Sequence, residues 1–463
     1  MSKPEPPKPG LLLALIPVAC LILFLFTGIF LLEASPHIPL ILAAIVVAIF
    51  GLQIGKTWKE LLDSIVHGIS ISMPAILILL AIGILIGTWV ASGIVPLFIF
   101  YGLKMLSPGI FLVATCLICA VVSFATGSSW STAGTVGVAL VGIGQGLGLP
   151  LAMVAGAIVS GAYFGDKLSP LSDTTNLAPA VAGSELFDHI KHMLFTTVPS
   201  LIIALILYAF LGLKISNSAS SVESVVTLSE SIESLFNLSP ILILAPLVVL
   251  VLIFIRIPAL PALLAGGMAG AILGVLIQDI TVSEMVGIMQ EGYVSETGLA
   301  EVDELLSRGG LDSMMWTISL ILCAMAYGGL MEGTGMLRTI SETLLKLAST
   351  TGRLVATTIA TCLGMNILVP DQYLSIIVPG RMYKGAFAES GLEAKNLSRC
   401  LEDAGTLTSP LIPWNTCGVA MMGLLLVNPF AYLPYAFLNL LNPVISLIFG
   451  FTDWTITRVE KEK

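Results

Sequence analysis

The sequence predicts an all-α polytopic membrane protein with about 11 to 13 transmembrane segments, arranged as two inverted-topology repeats with broken or re-entrant helices. Three observations lead to this prediction. Only 11% of the 463 residues are charged, whereas soluble domains carry roughly 25%. Long apolar runs recur along the chain. Four short patterns also occur in the same order in both halves.

The composition excludes several classes of protein. Hydrophobic residues make up 56% of the chain and the formal net charge is −9, so there is no basic surface for a nucleic acid. The seven cysteines are an odd number, and most lie in apolar stretches, which argues against a disulfide framework. Cys116 and Cys119 have the spacing of a metal or redox pair, but no second pair accompanies them, and we interpret them as helix-packing residues. We expect no cofactor, and we expect membrane lipid around the chain; a homodimer is compatible with the sequence.

A membrane-spanning helix needs about 20 mostly apolar residues, and the sequence has several runs of this kind. The clear runs are Leu11–Leu32, His37–Leu52, Ile71–Val90, Gly109–Phe124, Pro199–Leu213, Pro240–Ile255, Ala259–Ile277, Met314–Met331, Leu354–Val369 and Leu433–Phe451. Shorter runs, or runs broken by Gly or Pro, cover residues 94–106, 133–163, 373–390 and 411–428.

The basic residues in short loops predict the orientation, because such loops lie on the cytoplasmic side. Lys3 and Lys8 place the N-terminus inside, and Arg458 with the lysines that follow it places the C-terminus inside. The acidic loops at 214–238 and 278–312 are then external. We therefore expect a multi-pass protein of the cell (inner) membrane with both termini in the cytoplasm.

The predicted organisation has seven parts. They are a cytoplasmic N-terminal tail (1–10), an N-terminal transmembrane pair (11–55), a first inverted repeat (56–213), an external acidic loop (214–238), connecting helices (239–277), a second inverted repeat (278–451) and a cytoplasmic tail (452–463).

The repeat rests on paired patterns. The pairs are residues 59–68 with 283–292, 87–94 with 329–336, 126–137 with 369–380, and 165–170 with 405–410. The first pair is interpreted as interfacial amphipathic segments. The first copy begins on the predicted inside and the second on the predicted outside, so the copies are inverted. Inverted repeats with broken segments at matching places are typical of secondary transporters, and the binding site lies where the broken segments meet.

The first chemically active segment, residues 126–135, has six hydroxyl side chains at membrane depth. Such a segment can be irregular only where it lines a cavity or is buried in protein. Its hydroxyls, including Ser128, Ser129 and Thr132, are the hard oxygen ligands that an alkali cation prefers. The alternative is a helix contact made by small residues.

The second segment, residues 161–176, has two carboxylates and a lysine around Pro170. Ionisable groups at such depth are costly and indicate function. Asp166 or Asp173 could alternate between a proton and a cation, and Lys167 could neutralise one aspartate when no cation is bound. The alternative is a surface loop with Asp173 as a helix N-cap.

Two more segments lie in the second repeat. Asp371 lies opposite Ser128 in the repeat and is either a site residue or an N-cap. Residues 402–416 start with Glu402 and Asp403 and end with Asn415 and Thr416, with Pro410 and Pro413 between them. Broken half-helices can direct freed carbonyls at a cation or freed N–H groups at an anion.

The site prediction follows. Asp166, Asp173 and Asp371 are the first titrating candidates, followed by Asp403 and Glu402, and Glu332 at the end of a span is a further proton carrier. Thr174 and Asn176 join Ser128, Ser129, Thr132, Asn415 and Thr416 as neutral ligands. We expect the Na+ site among Ser128, Asp166, Asp173 and Asn176. His189 and His192 are expected on a solvated helix face.

At these segments the sequence resembles the NhaC family of Na+/H+ antiporters, in the ion-transporter superfamily. The resemblance rests on the patterns at 127–135, 165–176 and 413–416 and extends over roughly residues 10–450. It implies two inverted repeats and exchange of Na+ for H+, with no family-wide ligand assignment to carry over. Relatives that exchange malate for lactate, coupled to Na+ and H+, leave organic acid exchange as the alternative. An enzyme is not expected, because the Ala162–Asp166 run lacks the first glycine and the partner motif of an intramembrane aspartyl protease.

Overall fold

The computed structural model describes residues 9–216 and 222–459, and they are almost entirely helical. Seven helices are long and apolar enough to cross a membrane, and two sharply bent pairs raise the number to nine if each pair is one span. Three shorter apolar helices accompany them: His37–Gln53, Ile94–Met105 and Phe437–Thr452. The chain is a polytopic membrane protein, and its broken helices account for the difference from a count based on apolar runs.

The chain begins with two apolar helices. Helix α1 (Leu11–Phe26) continues as a π-helical turn (Thr27–Leu31), and α2 is His37–Gln53. Gly28 lets the ring of Pro39 approach, because a Cβ on Gly28 would lie 2.6 Å from Pro39 Cγ. The predicted tail 1–10 falls mostly outside the described residues.

The first half follows with eight α-helices and one π-helical segment, Ala133–Gly137. The α-helices are α3 (Trp58–Ala91), α4 (Ile94–Met105), α5 (Pro108–Thr126), α6 (Ser129–Thr132), α7 (Val138–Gly146), α8 (Leu151–Leu168), α9 (Asp173–Ala182) and α10 (Leu186–Ser216). The predicted interfacial segment 59–68 is the beginning of the 34-residue helix α3, and not a separate element.

The connection between the halves is α11 (Val222–Leu235), a 3₁₀ turn (Pro240–Ile243), α12 (Leu244–Phe254) and α13 (Ala259–Ile277). The prediction of a loop at 214–238 is wrong for the described part, since α10 reaches Ser216 and α11 occupies most of the rest. Residues 217–221 of that loop lie outside the described residues. Regularly spaced apolar residues such as Leu228 and Ile232, which are buried, explain why α11 folds onto the protein.

The second half has ten α-helices, a π-helical segment (Leu401–Thr406) and short 3₁₀ turns. The α-helices are α14 (Val282–Glu291), α15 (Ala300–Leu306), α16 (Met315–Gly333), α17 (Met336–Leu345), α18 (Thr351–Leu368), α19 (Gln372–Glu389), α20 (Ala394–Cys400), α21 (Thr416–Leu425), α22 (Pro429–Tyr432) and α23 (Phe437–Thr452). Residues 453–459 return to the α19–α20 turn, where Leu392 and Arg458 form an isolated β-bridge. Residues 460–463 of the predicted tail lie outside the described part.

The two halves share their local punctuation. Thr57 and Thr281 each begin a helix with a capping box, in which the threonine hydroxyl accepts from the backbone of Glu60 or Glu284 and that glutamate accepts from the cap backbone. Gly93 and Gly335 each precede a helix, and both glycines have a positive φ (85° and 74°). Helices then break at residues 127–128 and 169–172 in the first half, and at 369–371 and 409–415 in the second.

Equivalent helices of the two halves run to different cavities. One cavity, of about 440 Å³ and here named the Lys384 cavity, includes Ala182 of α9, Lys384 of α19 and Leu397 of α20 in its lining. The other, of about 560 Å³ and here named the Arg308 cavity, includes Val138 of α7 and Met422 of α21. Helices α7 and α19 each follow the first break of their half, and α9 and α21 each follow the second. Equivalent elements therefore lead in opposite directions, as the inverted repeat requires.

Candidate functional site

The two breaks of the first half lie against each other. Helix α5 ends at Gly127, which has φ 68°, and Ser128 caps α6 by accepting from Ser131 N at 3.1 Å. A Cβ on Gly127 would lie 2.7 Å from the carbonyl carbon of Leu171 and 2.9 Å from Ser172 N, so no larger residue fits. We name residues 127–128 and 169–172, with the helix ends beside them, the first crossing.

Asp166 reaches into the first crossing from α8. Its Oδ2 accepts hydrogen bonds from Ser129 N (3.1 Å) and Ser129 Oγ (2.7 Å), and the residue is 7% exposed. The preceding Gly165 presses α8 onto α5, since a Cβ there would be 2.3 Å from Ala120 O. This close packing places the carboxylate at the first turn of α6, where the N-terminal backbone N–H groups favour negative charge.

The remaining predicted residues of the first crossing are placed differently. Thr132 and Thr174 are buried, with Thr132 Oγ1 donating to Ser128 O at 2.9 Å and Thr174 Oγ1 lying 3.2 Å from Ser172 Oγ. Asp173 is exposed in the first turn of α9, and the N-cap of that helix is Ser172, so the alternative of Asp173 as a cap is wrong.

Asn176 is also exposed. Its amide nitrogen donates to Pro170 O at 2.9 Å and to Ser172 O at 2.7 Å. The amide therefore braces the turn between α8 and α9. Among the four residues predicted to hold Na+, Asp166 is buried at the crossing, while Asp173 and Asn176 lie at its exposed edge.

The breaks of the second half also meet, and hydrogen bonds join them. Thr416 N donates to Pro370 O at 2.9 Å, and Trp414 Nε1 donates to Ile367 O at 2.9 Å. Asn415 Nδ2 donates to the backbone and side-chain oxygens of Asn366, each at 3.1 Å. We name residues 369–371 and 409–415, with the helix ends beside them, the second crossing.

Asp371 serves as the N-cap of α19, as the alternative interpretation proposed. Its Oδ1 accepts from Leu374 N at 3.0 Å, and the residue is 3% exposed. Asn415 caps α21 in the same way through Cys417 N at 3.0 Å. The buried Thr416 follows directly as the first residue of α21.

Tyr373 of α19 lies near acids of both crossings. Its hydroxyl lies within electrostatic range of Asp166, Asp173 and Asp371. The fold therefore brings the three aspartates predicted from separate segments into the surroundings of one side chain. Tyr373 itself carried no sequence signal, because an aromatic residue at the start of an apolar run reads as a packing residue.

A second group of charges lies beside the crossings. Lys167 Nζ pairs with Asp403 and donates to Asn442 Oδ1 at 2.9 Å, and Thr196 Oγ1 donates to the same oxygen of Asp403 at 2.9 Å. Arg399 Nε lies 3.7 Å from the other Asp403 oxygen. All four side chains that join Asp403 in this group are buried. Lys167 thus neutralises Asp403 of the other half and not the adjacent Asp166.

Glu402 and Glu332 both have buried carboxylate oxygens without a hydrogen-bond partner among the described residues. Glu402 is fully buried on the π-helical segment, and within the described residues neither of its oxygens has a hydrogen-bond partner. It lies within electrostatic range of Lys167, Asp166 and Asp403. Glu332 is half-buried near the end of α16, and its Oε2 has no partner among residues 9–216 and 222–459. Buried carboxylates without partners are costly and indicate a function beyond stability.

The expectation for two histidines is wrong. His189 and His192 are 0% and 3% exposed, and Ser398 Oγ lies 2.8 Å from His189 Nδ1. The polar sequence around the start of α10 suggested a solvated face. That face packs against α20 of the other half, which the sequence of α10 does not reveal.

The first crossing brings together groups that can bind a small cation. They are a carboxylate, several hydroxyls and the end of an interrupted helix, and hard oxygen atoms suit an alkali cation. The family model for the Na+/H+ antiporter family matches residues 161–454. The chain is 42% identical over 428 residues to the Na+/H+ antiporter NhaC of Alkalihalophilus pseudofirmus, covering 92% of each chain.

This chain belongs to the Na+/H+ antiporter family. Two further relatives are named for other exchange activities. The chain is 36% identical to a malate-2H+/Na+-lactate antiporter of Bacillus subtilis over 91% of its length and 90% of the relative. It is 40% identical to the arginine/ornithine antiporter ArcD of Halobacterium salinarum over 98% of its length and 95% of the relative. The Na+/H+ antiporter family model covers both breaks of the second crossing, and Asp166 of the first crossing.

Proposed function

We propose that the protein exchanges Na+ for H+ across the cell membrane by alternating access, with Asp166 as the carboxylate that binds either ion. The observation that carries this proposal is the bond between Asp166 and Ser129, which spans two broken helices at their crossing. A carboxylate there can hold one proton or one Na+ but not both, and this competition is what exchange requires.

The geometry supports a proposed set of Na+ ligands. Ser129 now donates its hydroxyl hydrogen to Asp166, so Na+ binding would turn that hydrogen away and direct the oxygen at the ion. The last carbonyls of α5 and the hydroxyls near Ser128 supply further oxygen atoms. Asp173 and Asn176, at the exposed edge, act in the entry path and in bracing the turn.

The second carboxylate of the mechanism is Glu402. It is buried and lacks a hydrogen-bond partner among the described residues. It also lies within electrostatic range of Asp166, so the charge on one carboxylate affects the other. We assign it to proton transfer beside the site, while Asp403 holds Lys167 in place. Asp371 positions α19 as its cap, and Glu332 remains a candidate proton carrier on the path.

In the proposed orientation, the face that bears the Lys384 cavity points to the cytoplasm. Lys384 and Lys395 line that cavity, and basic residues mark cytoplasmic faces. Both termini would then be cytoplasmic in the cell (inner) membrane. A protease-accessible tag at each terminus, tested in right-side-out and inverted vesicles, checks this assignment.

Exchange of organic acids is the second candidate, favoured by the two relatives that carry organic substrates at 36% and 40% identity. Proteoliposomes that contain a pH indicator separate the two candidates. Under Na+/H+ exchange, a Na+ gradient alone moves protons, and neither malate nor lactate is needed. If only malate or lactate drives movement, the Na+/H+ proposal is wrong.

The variant Asp166→Asn tests the site itself. It keeps the shape of the side chain but removes the charge, so Na+-dependent proton movement should disappear. Asp63→Asn is the matched control, because Asp63 is exposed on α3 and should leave transport unchanged. Full activity in Asp166→Asn would move the ion site elsewhere.

A further inference from the structure

A second site is built around Arg308, far along the chain from both crossings. Arg308 is followed by Gly309 and Gly310, which have φ of 84° and 81°. Gly310 N donates to Gly83 O of α3 at 2.8 Å, and a Cβ on Gly309 would lie 2.1 Å from Gly87 N. The chain before α16 is therefore pressed onto the backbone of α3, and this contact fixes the position of Arg308.

The guanidinium of Arg308 is largely without partners. Its Nη2 reaches Gln145 Oε1 only at 3.5 Å, and its Nε is buried with no hydrogen-bond partner within the described chain. Among the residues that the structure describes, no carboxylate lies within 4.0 Å of the Arg308 guanidinium, although Glu304 is in electrostatic range. An arginine has five donors in a planar fork that fits a carboxylate. Leaving the buried Nε of such a fork unsatisfied is costly.

The fork lines a cavity of suitable size. The Arg308 cavity has a volume of about 560 Å³, and Tyr293, Ser307, Trp316 and Thr317 lie in its wall. Small-molecule sites commonly measure roughly 300–1,000 Å³ and combine aromatic walls with a few polar groups. A bare Na+ ion needs no cavity of this size, and a fixed guanidinium repels it.

The cavity also reaches toward the second crossing. Met422 and Gly423 of α21 lie in its wall, and α21 begins at Thr416 directly after the crossing. Six or seven residues of α-helix span about 10 Å at 1.5 Å per residue. A solute in this cavity would therefore contact the helix that leaves the second crossing.

We propose that the Arg308 cavity binds a small organic solute, whose carboxylate pairs with the Arg308 guanidinium. This site is additional to the Na+/H+ exchange site at Asp166 and does not depend on it. Glu291, which is exposed at the edge of the cavity, favours a solute that also carries an ammonium group. The shared chemistry is the carboxylate, and its source is a hydroxy acid, a dicarboxylate or an amino acid.

The test uses the purified full chain in lipid nanodiscs and calorimetric titration with lactate, malate and alanine. We expect at least one of them to bind, and Arg308→Gln to weaken that binding by at least tenfold. Arg308→Lys, which keeps the charge but loses the fork, should weaken it less. Asp63→Asn, at an exposed position of α3, is the matched control and should bind as the parent does. Lactamide, which replaces the carboxylate of lactate by a neutral amide, should not bind.

Two results would overturn the proposal: none of the three solutes binds, or one binds equally well to the parent chain and Arg308→Gln. Trp316 provides a readout in the parent chain if Arg308→Gln does not fold, because its indole is 46% exposed in the cavity wall. Its fluorescence should change with a carboxylate and not with lactamide, and the change should be absent in Trp316→Phe. An equal change with lactamide would count against the proposal. Proton movement driven by Na+ without any carboxylate should persist in Arg308→Gln, so failure at this site leaves the exchange proposal intact.

Discussion

The first and second crossings use the same broken-helix architecture for different purposes. At the first, an acid from one broken helix, Asp166, reaches the start of the other and accepts hydrogen bonds from Ser129. At the second, Asn366 and Asn415 join the breaks, and the acid Asp371 caps its own helix. Thr406 occupies the repeat position of Asp166. One crossing therefore places a carboxylate at the start of a helix, where we propose that an ion binds, and the other is joined by neutral hydrogen bonds.

The largest expected effect comes from removing the tie between the two halves. Lys167→Met leaves Asp403 buried without its ammonium partner, and Thr196 Oγ1 at 2.9 Å and Arg399 Nε at 3.7 Å remain beside it. We expect the free energy of unfolding to fall by about 3–5 kcal/mol, as for other buried pairs that lose one partner. Denaturant titration in detergent micelles measures this. A cost below about 1 kcal/mol would contradict the expectation.

The next effect separates the two acids. Asparagine caps helices as well as aspartate does, so Asp371→Asn should keep α19 in place and leave Na+-dependent proton movement within about fivefold of the parent, less than about 1 kcal/mol. Asp166→Asn should lower it by about 100-fold or more, equivalent to about 2.7 kcal/mol. Both are measured in the same vesicles. Equal losses in the two variants would show that the second crossing also binds the ion.

A smaller effect compares the hydrogen bonds of the crossings. Asn415→Ala removes the cap of α21 and two bonds to Asn366, and should lower the free energy of unfolding by about 2 kcal/mol. Ser129→Ala removes one side-chain bond to Asp166 and should cost about 1 kcal/mol. For apparent Na+ affinity we expect the opposite order, because Ser129→Ala should weaken Na+ binding more than Asn415→Ala does. The same order in both measurements would argue against Ser129 as a ligand.

The smallest effect lies outside both crossings, in the loop that precedes Arg308. Hydrogen bonds from Thr297 N (2.7 Å), the hydroxyls of Thr297 and Ser295, and Gly298 N hold the pKa of Asp303 below its ordinary value. The charged form is thus favoured in the folded loop. Its stabilisation is present above the ordinary pKa of about 3.9 and is lost as the pH falls through the lower folded pKa.

We therefore expect protection of the Thr297 and Gly298 amides against hydrogen exchange to hold from pH 6 to about pH 4 and to fall below it. Protection factors, which correct for the intrinsic exchange rate at each pH, measure this. In Asp303→Asn protection should already be low at pH 6 and should not change with pH. A parent loop whose protection does not depend on pH would contradict the assignment.

Much of the architecture could be predicted from local sequence. Charge-poor apolar runs require helices in lipid, and Gly127, Pro170, Pro370 and Pro410 mark the breaks because they cannot continue a helix without strain or a lost donor. The capping boxes at Thr57 and Thr281 are also evident in the sequence as a Thr-x-x-Glu pattern.

The sequence by itself determined that the chain forms two similar sets of broken membrane helices and that acids lie near the breaks, because both are properties of the local backbone and its solvent. The tertiary structure alone decided which acid does what. Lys167 pairs with Asp403 across 236 residues, Ser172 and not Asp173 caps α9, and Arg308 is held by glycines of α3. The partner of a buried charge depends on which helix packs beside it, and that choice is made by the whole set of packed helices and not by any one segment.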